Sequence, residues 1–177
     1  MQDSKHLSWN DDPKKLAWSL ELLTSITRSK SDLDRGDPES FIRGYTTLEP
    51  DLQVKFWAEL VIAIAKFESN WRPDSIFHEP PPLGVDSVGL LQLSYQDQKH
   101  YHLERLDPSA KSLEDPQVNI RCGVVILTKL VSDDRTVEGS NDGRFKGAAR
   151  YWSVIRSGPK HHLSEIKARV ANAVGLN

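Results

Sequence analysis

Apolar residues recur along most of this chain at steps of three and four positions, the spacing of one face of an α-helix. Asp12-Pro13 and Asp115-Pro116 each place a capping residue before a proline at the first helical position, which is a helix start signal. Apolar and polar residues nowhere alternate over the length of a strand. The pattern predicts a mainly α fold, with helices over residues 13–29, from 50 to just before 73, and over 90–99, 116–131, 145–155 and 163–173.

Three polar stretches interrupt this helical pattern. Residues 30–49 and 132–143 are rich in Gly, Ser and Asp and predict loops, the first with a short helical turn around Phe41. Residues 74–89 contain Pro80-Pro81-Pro82 and predict an exposed connector with, at most, a small β-hairpin beside a groove. The helix over 116–131 is apolar on most sides, so we expect it to be the central core helix.

Size and composition restrict the class of protein further. The 177 residues suffice for one domain, and 38% hydrophobic with 27% charged residues is typical of a folded chain. A formal net charge of -2 provides no basic field, so we expect no nucleic-acid partner. Cys122 is the only cysteine and lies in an apolar run, which predicts a buried, inert thiol. The first residues precede no apolar stretch, so neither a signal peptide nor a transmembrane segment is predicted.

Glu68 is the candidate for acid catalysis. Val54, Trp57, Val61 and Ile64 form an apolar stripe that ends on this carboxylate, just before Pro73 stops the helix. Burial against an apolar face and the partial negative charge of a helix C-terminus both raise a carboxyl pKa, as a general acid near neutral pH requires. Taken alone, Glu68 is more consistent with a solvated carboxylate at a helix end, because Glu is common on helix surfaces.

Four short blocks stand in order along the chain: Glu68-Ser69, Ser87-Val88-Gly89-Leu90-Leu91-Gln92-Leu93, Asp115-Pro116-Gln117-Val118-Asn119-Ile120 and Ala148-Ala149-Arg150-Tyr151-Trp152. Together they resemble the catalytic domain of the soluble lytic transglycosylases, whose superfamily has the lysozyme-like α fold and includes the goose-type lysozymes. The resemblance spans residues 51–158. Each block alone is weak, and the order and spacing of all four make the combination specific.

The resemblance implies roles for several residues. Glu68 would be the single catalytic acid and base. Ser87, Gly89 and Gln92 would contact the substrate, the glycine by letting the backbone approach a sugar closely. Tyr151 would bring its hydroxyl close to Glu68. Without the resemblance, Ser87 would be a helix cap and Gln92 an exposed helix amide.

Two further candidates and two departures complete the predicted site. Asn119 belongs to a block that sets the start of a helix under the groove, and its amide would hydrogen-bond inward. Trp71, just past the catalytic helix, is the candidate for stacking on a sugar ring. Trp152 stands where the family has Asn, and Arg72 stands where Asn commonly precedes the proline. These departures bear on the inner sugar contacts.

The implied function is that of a peptidoglycan lytic transglycosylase without metal or cofactor. It would cleave the β-1,4 bond between N-acetylmuramic acid and N-acetylglucosamine and leave 1,6-anhydromuramyl ends. A lysozyme-type muramidase is the alternative, and it needs a second carboxylate, for which Glu79, Asp86 and Asp97 are candidates. A second alternative is a catalytically silent peptidoglycan-binding module. The histidine pairs lack the helix-spaced Glu or Cys of a metal site.

The resemblance also predicts organisation and setting. We expect residues 1–49 to form a helical extension packed on a lysozyme-like catalytic domain over residues 50–177, in one compact monomer. The substrate lies in the periplasm or cell wall, so export would use a non-classical route or a lysis partner. The expected partners are peptidoglycan glycan strands, export machinery and a cognate inhibitor protein. Phage lysis, delivery as an antibacterial effector and wall remodelling all fit the sequence.

Overall fold

The computed structural model describes residues 5–82 and 84–176. Its α-helices are α1 (Leu16–Leu33), α2 (Pro38–Phe41), α3 (Pro50–Ser69), α4 (Asp97–Tyr101), α5 (Pro116–Asp134) and α6 (Leu163–Val174). Its strands are β1 (Ile76–His78), β2 (Asp86–Val88), β3 (Glu138–Asn141) and β4 (Arg144–Gly147). The predicted mainly α fold is confirmed. None of the described helices is long and apolar enough to span a membrane.

The most enclosed helix is α3. Its residues from Lys55 to Ala65 are all buried in an unbroken run, and α1 and α6 both pack against it. The prediction that the helix starting at Pro116 is central was wrong in this respect, because Val125 on α5 is 42% exposed. Instead, α5 packs mainly on α1. The helix that leads to Glu68 therefore forms the middle of the hydrophobic core.

Helix α1 buries a different face from the one its leucines suggest. Leu16 and Leu20 are 55% and 70% exposed, whereas Ser19, Leu22 and Ile26 are buried. Ser19 is accommodated because its hydroxyl accepts a hydrogen bond from the indole of buried Trp9. The helix also continues beyond its predicted end at residue 29 to Leu33.

A polar cluster joins the N-terminal segment to α3. The Asp34 carboxylate accepts hydrogen bonds from the Tyr45 hydroxyl at 2.5 Å and from the Trp57 indole at 3.1 Å. Nearer the start of the chain, the Ser8 N–H donates to the carboxylate of buried Glu59 at 2.9 Å. One hydrophobic core includes residues from both segments. The division of the chain at residue 50 stays a prediction.

Two antiparallel hairpins lie outside the helical core. Strands β1 and β2 pair Ile76 with Val88, which confirms the small hairpin expected in the proline-rich connector. The pairing of β3 with β4 was not predicted, and the expected helix over 145–155 was wrong: β4 and two 3-10 turns, Ala148–Arg150 and Ser153–Ile155, stand there instead. Asp142 and Gly143 both have positive φ, the backbone that a two-residue hairpin turn needs. The Asp142-Gly143 dipeptide is the sequence signal from which this hairpin could have been predicted.

The predicted helix over 90–99 was also wrong, because residues 88–93 form a tight loop closed by a bridge between Val88 and Leu93. We call residues 88–93 the Gly89 loop. The fully buried Asn119 of α5 holds it in place. The amide of Asn119 accepts from the Leu91 N–H and donates to the carbonyls of Val88 and Leu113, all at 2.9 Å. This side chain substitutes for the backbone partners that a helix would have supplied.

Asn119→Ala should strongly destabilise the fold. The change leaves the Leu91 N–H and the Leu113 carbonyl without a partner in the interior, which costs about 2–4 kcal/mol of unfolding free energy. Urea denaturation followed by circular dichroism measures this loss. Asn141→Ala, on the exposed β3, is the matched control and should change stability by less than about 0.5 kcal/mol. Equal stability of the two variants would contradict the anchoring role of Asn119.

Candidate active site

A cavity of about 660 Å³ opens at the C-terminal end of α3. Four parts of the chain border it: Glu68 on α3, the β1–β2 hairpin with Glu79 in its connecting loop, the segment from Gln92 to Asp97, and the turn from Tyr151 to Arg156. These parts coincide with three of the four sequence blocks. The Asp115 block lies behind the cavity and supports the Gly89 loop through Asn119.

Glu68 lines this cavity with a partly buried carboxyl group that makes no hydrogen bond to any described residue. Burial, followed by the negative charge of Glu79, raises its pKa, the positive charge of Arg156 lowers it, and the net result is a pKa of about 7. Helix α3 ends just beyond it, where Asn70 adopts a left-handed cap. At neutral pH a substantial fraction of Glu68 is therefore protonated and has a proton to donate.

Ser87, Gln92 and Tyr151, three of the predicted substrate contacts, line the same cavity. The Ser87 hydroxyl donates to Glu79 at 2.9 Å. The amide nitrogen of Gln92 donates to the carbonyls of Ser75 and Gly89, which leaves its oxygen without a partner among the described residues.

The hydroxyl of Tyr151 donates to the carboxylate of Asp97, which also accepts from the Ser94 N–H at 2.8 Å. Burial, followed by the charge of Asp97, raises the pKa of Tyr151 far above its usual range. The phenol therefore stays neutral at any working pH. Its proton is directed to Asp97, so the hydroxyl can meet a ligand only as a hydrogen-bond acceptor.

The structure does not bring Gly89, Asn119 or Trp71 into the cavity lining. Gly89 is buried with a φ of +80°, and a Cβ there would stand 2.3 Å from the Asn119 amide nitrogen, so the glycine serves close packing. Asn119 is 0% exposed. The Trp71 indole donates to the Ile62 carbonyl at 2.9 Å, and its ring packs edge-on against Trp9. Trp71 thus packs against the N-terminal segment rather than facing the cavity.

The two departures from the family pattern have different positions. Trp152 is 2% exposed, and its indole donates to the Leu91 carbonyl at 2.9 Å, so it forms part of the cavity wall and binds the Gly89 loop. Arg72 is exposed and pairs with Asp74 at 3.6 Å, outside the lining. Neither residue replaces or displaces the carboxyl of Glu68.

Sequence reasoning missed Arg156 and the partner of Tyr151. Arg156 lies in the cavity, donates through Nε to the Ala149 carbonyl at 2.9 Å, and places its guanidinium 4.0 Å from the centre of the Phe145 ring. No spacing rule marks this arginine, which follows the last block in an irregular turn. Asp97 was weighed only as a second carboxylate, because its sequence position gives no indication of the tyrosine 54 residues away.

Of the three carboxylates weighed as a partner for Glu68, Glu79 and Asp97 line the cavity. Asp97 is engaged by Tyr151. Asp86 is not in the lining and pairs with His78 at 2.5 Å. Within residues 5–82 and 84–176, no three or more His, Cys, Asp or Glu side chains gather as ligands of a metal ion. Glu79 is therefore the carboxylate that most directly shares the cavity with Glu68.

Comparison with known proteins gives the family. The model of the transglycosylase SLT domain matches residues 48–141, which run from the start of α3 through the Gly89 loop and α5. The chain belongs to this SLT family. Members of the SLT family are lytic transglycosylases, lyases that act on peptidoglycan. Among curated proteins, none matches the chain.

Solved structures of DslA resemble the whole chain. The wild-type form 2 of DslA is 30% identical, with a TM-score of 0.83, and the match covers 97% of this chain and 98% of DslA. Two DslA variants, each with one glutamate replaced by glutamine, match with TM-scores of 0.82 and 0.81 at the same identity. Their matches cover 97% and 94% of this chain and 98% and 95% of theirs. The lysozyme-like SLT fold is thereby shown over nearly the full length.

Glu68→Gln should stabilise the protein above neutral pH. The folded pKa of about 7 exceeds the ordinary 4.5, so the buried anion weakens the fold as pH rises from about 4.5 through 7 and has no effect below that window. At pH 8 the variant should gain about 2 kcal/mol of unfolding free energy, and at pH 4 almost nothing. Urea denaturation at both pH values tests this, with exposed Glu49→Gln as the control. A gain that is the same at both pH values would contradict the linkage.

Proposed function

We propose that this protein cleaves the β-1,4 bond between N-acetylmuramic acid and N-acetylglucosamine and leaves 1,6-anhydromuramyl ends, with Glu68 as the only acid and base. The observation that carries the proposal is the state of Glu68. It is a partly buried carboxyl with a pKa of about 7, in a cavity, with no hydrogen-bond partner among the described residues. A group of this kind can give up a proton and then take one back near neutral pH.

The proposed reaction uses the same carboxyl twice. Protonated Glu68 donates to the oxygen between the two sugars, so the bond from that oxygen to the muramyl C1 breaks and the N-acetyl group supports the developing positive charge. The Glu68 carboxylate then takes the proton from the muramyl C6 hydroxyl, whose oxygen bonds to C1. Glu68 ends protonated, as it began, and no water is consumed.

We assign substrate contacts to the three polar side chains that face the same cavity. The Tyr151 oxygen would accept a hydrogen bond from the sugar, since its own proton is held by Asp97. The free side-chain oxygen of Gln92 would accept another, because its nitrogen is fixed by two backbone carbonyls. Such pre-oriented acceptors hold a sugar without reorganising when it binds.

A hydrolytic muramidase is the second candidate, and Glu79 favours it. This carboxylate shares the cavity with Glu68 and raises its pKa through its charge. The two glutamates replaced in the DslA variants are eleven residues apart in DslA, the same spacing as Glu68 and Glu79. In this reading Glu79 would position a water for attack at C1, and the product would have a reducing end.

A silent binding module is the third candidate, motivated by Arg72 and Trp152 at positions where the family has Asn. Trp152 lines the cavity and would alter sugar contacts without removing the acid, whereas Arg72 lies outside the lining, so turnover separates this candidate from the others. We further propose action in the periplasm or cell wall as a monomer, in phage lysis, antibacterial delivery or wall remodelling. Export machinery and a cognate inhibitor are the partners to look for.

Digestion of purified peptidoglycan should release soluble muropeptides with anhydro ends, and Glu68→Gln should abolish the release. The substitution keeps the side-chain shape and removes the proton donor, so a loss of at least about a hundredfold in rate is expected. Mass spectrometry of the fragments distinguishes the products. Reducing ends in place of anhydro ends would identify the protein as a muramidase instead. If the wild type binds sacculi and releases no fragments, the protein is a binding module and not an enzyme.

Glu79→Gln should separate the two chemistries through the pH profile. For a transglycosylase, activity falls as pH rises through the Glu68 pKa of about 7, and removing the Glu79 charge lowers that pKa. The basic limb of kcat/KM should then move to lower pH while anhydro products persist. Asp86→Asn, outside the cavity lining, is the control and should leave the limb in place. A loss of about a hundredfold or more at every pH would instead give Glu79 the catalytic role of a hydrolase.

A further inference from the structure

Arg156 brings a positive charge into the cavity that holds Glu68. Its side chain is held on two sides, by the hydrogen bond from Nε to the Ala149 carbonyl and by the Phe145 ring against which the guanidinium lies. A backbone acceptor together with an aromatic face fixes the plane of the guanidinium. The side chain is therefore oriented before any ligand arrives.

The two terminal nitrogens of Arg156 have no hydrogen-bond partner in the part of the chain that the structure describes. No described carboxylate lies within 4.0 Å of them either, whereas Arg121 pairs with Glu104 and Arg150 pairs with Asp134. A partly buried cation without a counterion is costly to keep unless a ligand supplies one. These nitrogens form the fork that binds a carboxylate through two parallel hydrogen bonds.

Glu68 does not serve as that counterion. The two groups influence each other through their charges, but they form no ion pair within 4.0 Å, and the pKa of Glu68 remains well above its ordinary value despite Arg156. An acid that must stay protonated is poorly served by a close cation, since the cation favours its ionised form. The fork of Arg156 is thus left for a group that is not part of the protein.

Glu79 restricts where an anionic group of the substrate can lie. Its carboxylate borders the same cavity and disfavours the ionised form of Glu68, so that part of the site is unfavourable for a second anion. The guanidinium of Arg156 is the attractive position. A carboxylate on the ligand would therefore be directed to Arg156 and held away from Glu79.

Under the proposed function, the substrate is a chain in which two kinds of sugar alternate. N-acetylglucosamine is uncharged, whereas the muramyl sugar carries a lactyl group that ends in a carboxylate on bare strands and in a carboxylate-bearing peptide on intact ones. A site that cleaves on one side of the muramyl sugar must distinguish the two registers of the strand. The lactyl substituent is the feature by which they differ.

We propose that Arg156 binds a carboxylate of the muramyl substituent and thereby sets which of the alternating sugars lies against Glu68. Arg156 is in this sense a specificity-determining residue of the same site, and the inference rests on the proposed substrate. Hydrogen bonds from uncharged sugar groups to Gln92 and Tyr151 can form in either register of the strand. The guanidinium of Arg156 favours only the register that places a carboxylate beside it. Removing the fork weakens discrimination between charged and uncharged glycans more than it weakens glycan binding itself.

Binding measured in a Glu68→Gln background, where no turnover occurs, tests this directly. Titration calorimetry would use three ligands: an N-acetylglucosamine tetramer, a bare muramyl-containing tetramer, and the same tetramer with its peptides. Arg156→Gln should weaken binding of a muramyl ligand about tenfold or more and change binding of the neutral tetramer by less than about twofold. Loss on the bare tetramer identifies the lactyl carboxylate, and loss on the peptide-bearing tetramer alone identifies a peptide carboxylate.

Two further variants make the result decisive. Arg144→Gln removes the same charge from an exposed position on β4 and should leave all three affinities within about twofold. Arg156→Lys retains the charge without the fork and should keep part of the discrimination, with circular dichroism confirming that it folds. An equal loss on neutral and muramyl ligands, or no loss on either, overturns the proposal. Digestion of peptidoglycan by the wild type is a separate measurement. If the wild type releases no fragments but Arg156 still discriminates between charged and neutral ligands, only the proposed reaction is ruled out.

Discussion

A carboxyl group held partly out of water at the end of the most buried helix is the constraint around which this structure is arranged. Eleven consecutive residues of α3, from Lys55 to Ala65, are buried before the helix reaches Glu68. Burial is also the largest cause of the raised Glu68 pKa. The packing that makes α3 the centre of the hydrophobic core therefore also desolvates its C-terminal end, where the acid lies. Burial of this carboxyl destabilises the fold when the group is ionised, and the same burial gives Glu68 the raised pKa that acid catalysis needs.

A second constraint is that three of the four sequence blocks bind the same short segment, the Gly89 loop. Side chains from three of them bind the backbone of two adjacent residues in the Gly89 loop: the Ser69 hydroxyl donates to the Leu90 carbonyl, Asn119 accepts from the Leu91 N–H, and the Trp152 indole donates to the Leu91 carbonyl. Each partner comes from a different part of the chain. This convergence explains physically why blocks that are weak alone become specific in combination, since the loop needs all of them to keep its shape.

The sequence was sufficient for what depends on local pattern. The pattern predicted α3, its end beyond Glu68 and the raised pKa of that residue, and the family resemblance implied that Ser87, Gln92 and Tyr151 face the substrate. The pattern failed where long-range contacts decide. The predicted helix over 90–99 was wrong because Asn119, distant in sequence, supplies hydrogen bonds to the Gly89 loop, and the burial of Ser19 on α1 depends on Trp9, which no local pattern indicates. Trp71 was placed in the groove because nothing local indicates its bond to Ile62.

The charged groups around the cavity have two separate roles: some keep Glu68 protonated, and one offers a positive charge to a ligand. The carboxyl groups of Glu68 and Glu79 border the same cavity, where burial and the charge of Glu79 disfavour ionisation of Glu68 and keep a proton on it. A cation close enough to neutralise them would remove that effect. Arg156 instead interacts with Glu68 without forming an ion pair, and its guanidinium is held by Ala149 and Phe145. The cavity can therefore keep an acid protonated and still present a positive charge to a ligand, because fixed contacts prevent the two groups from cancelling each other.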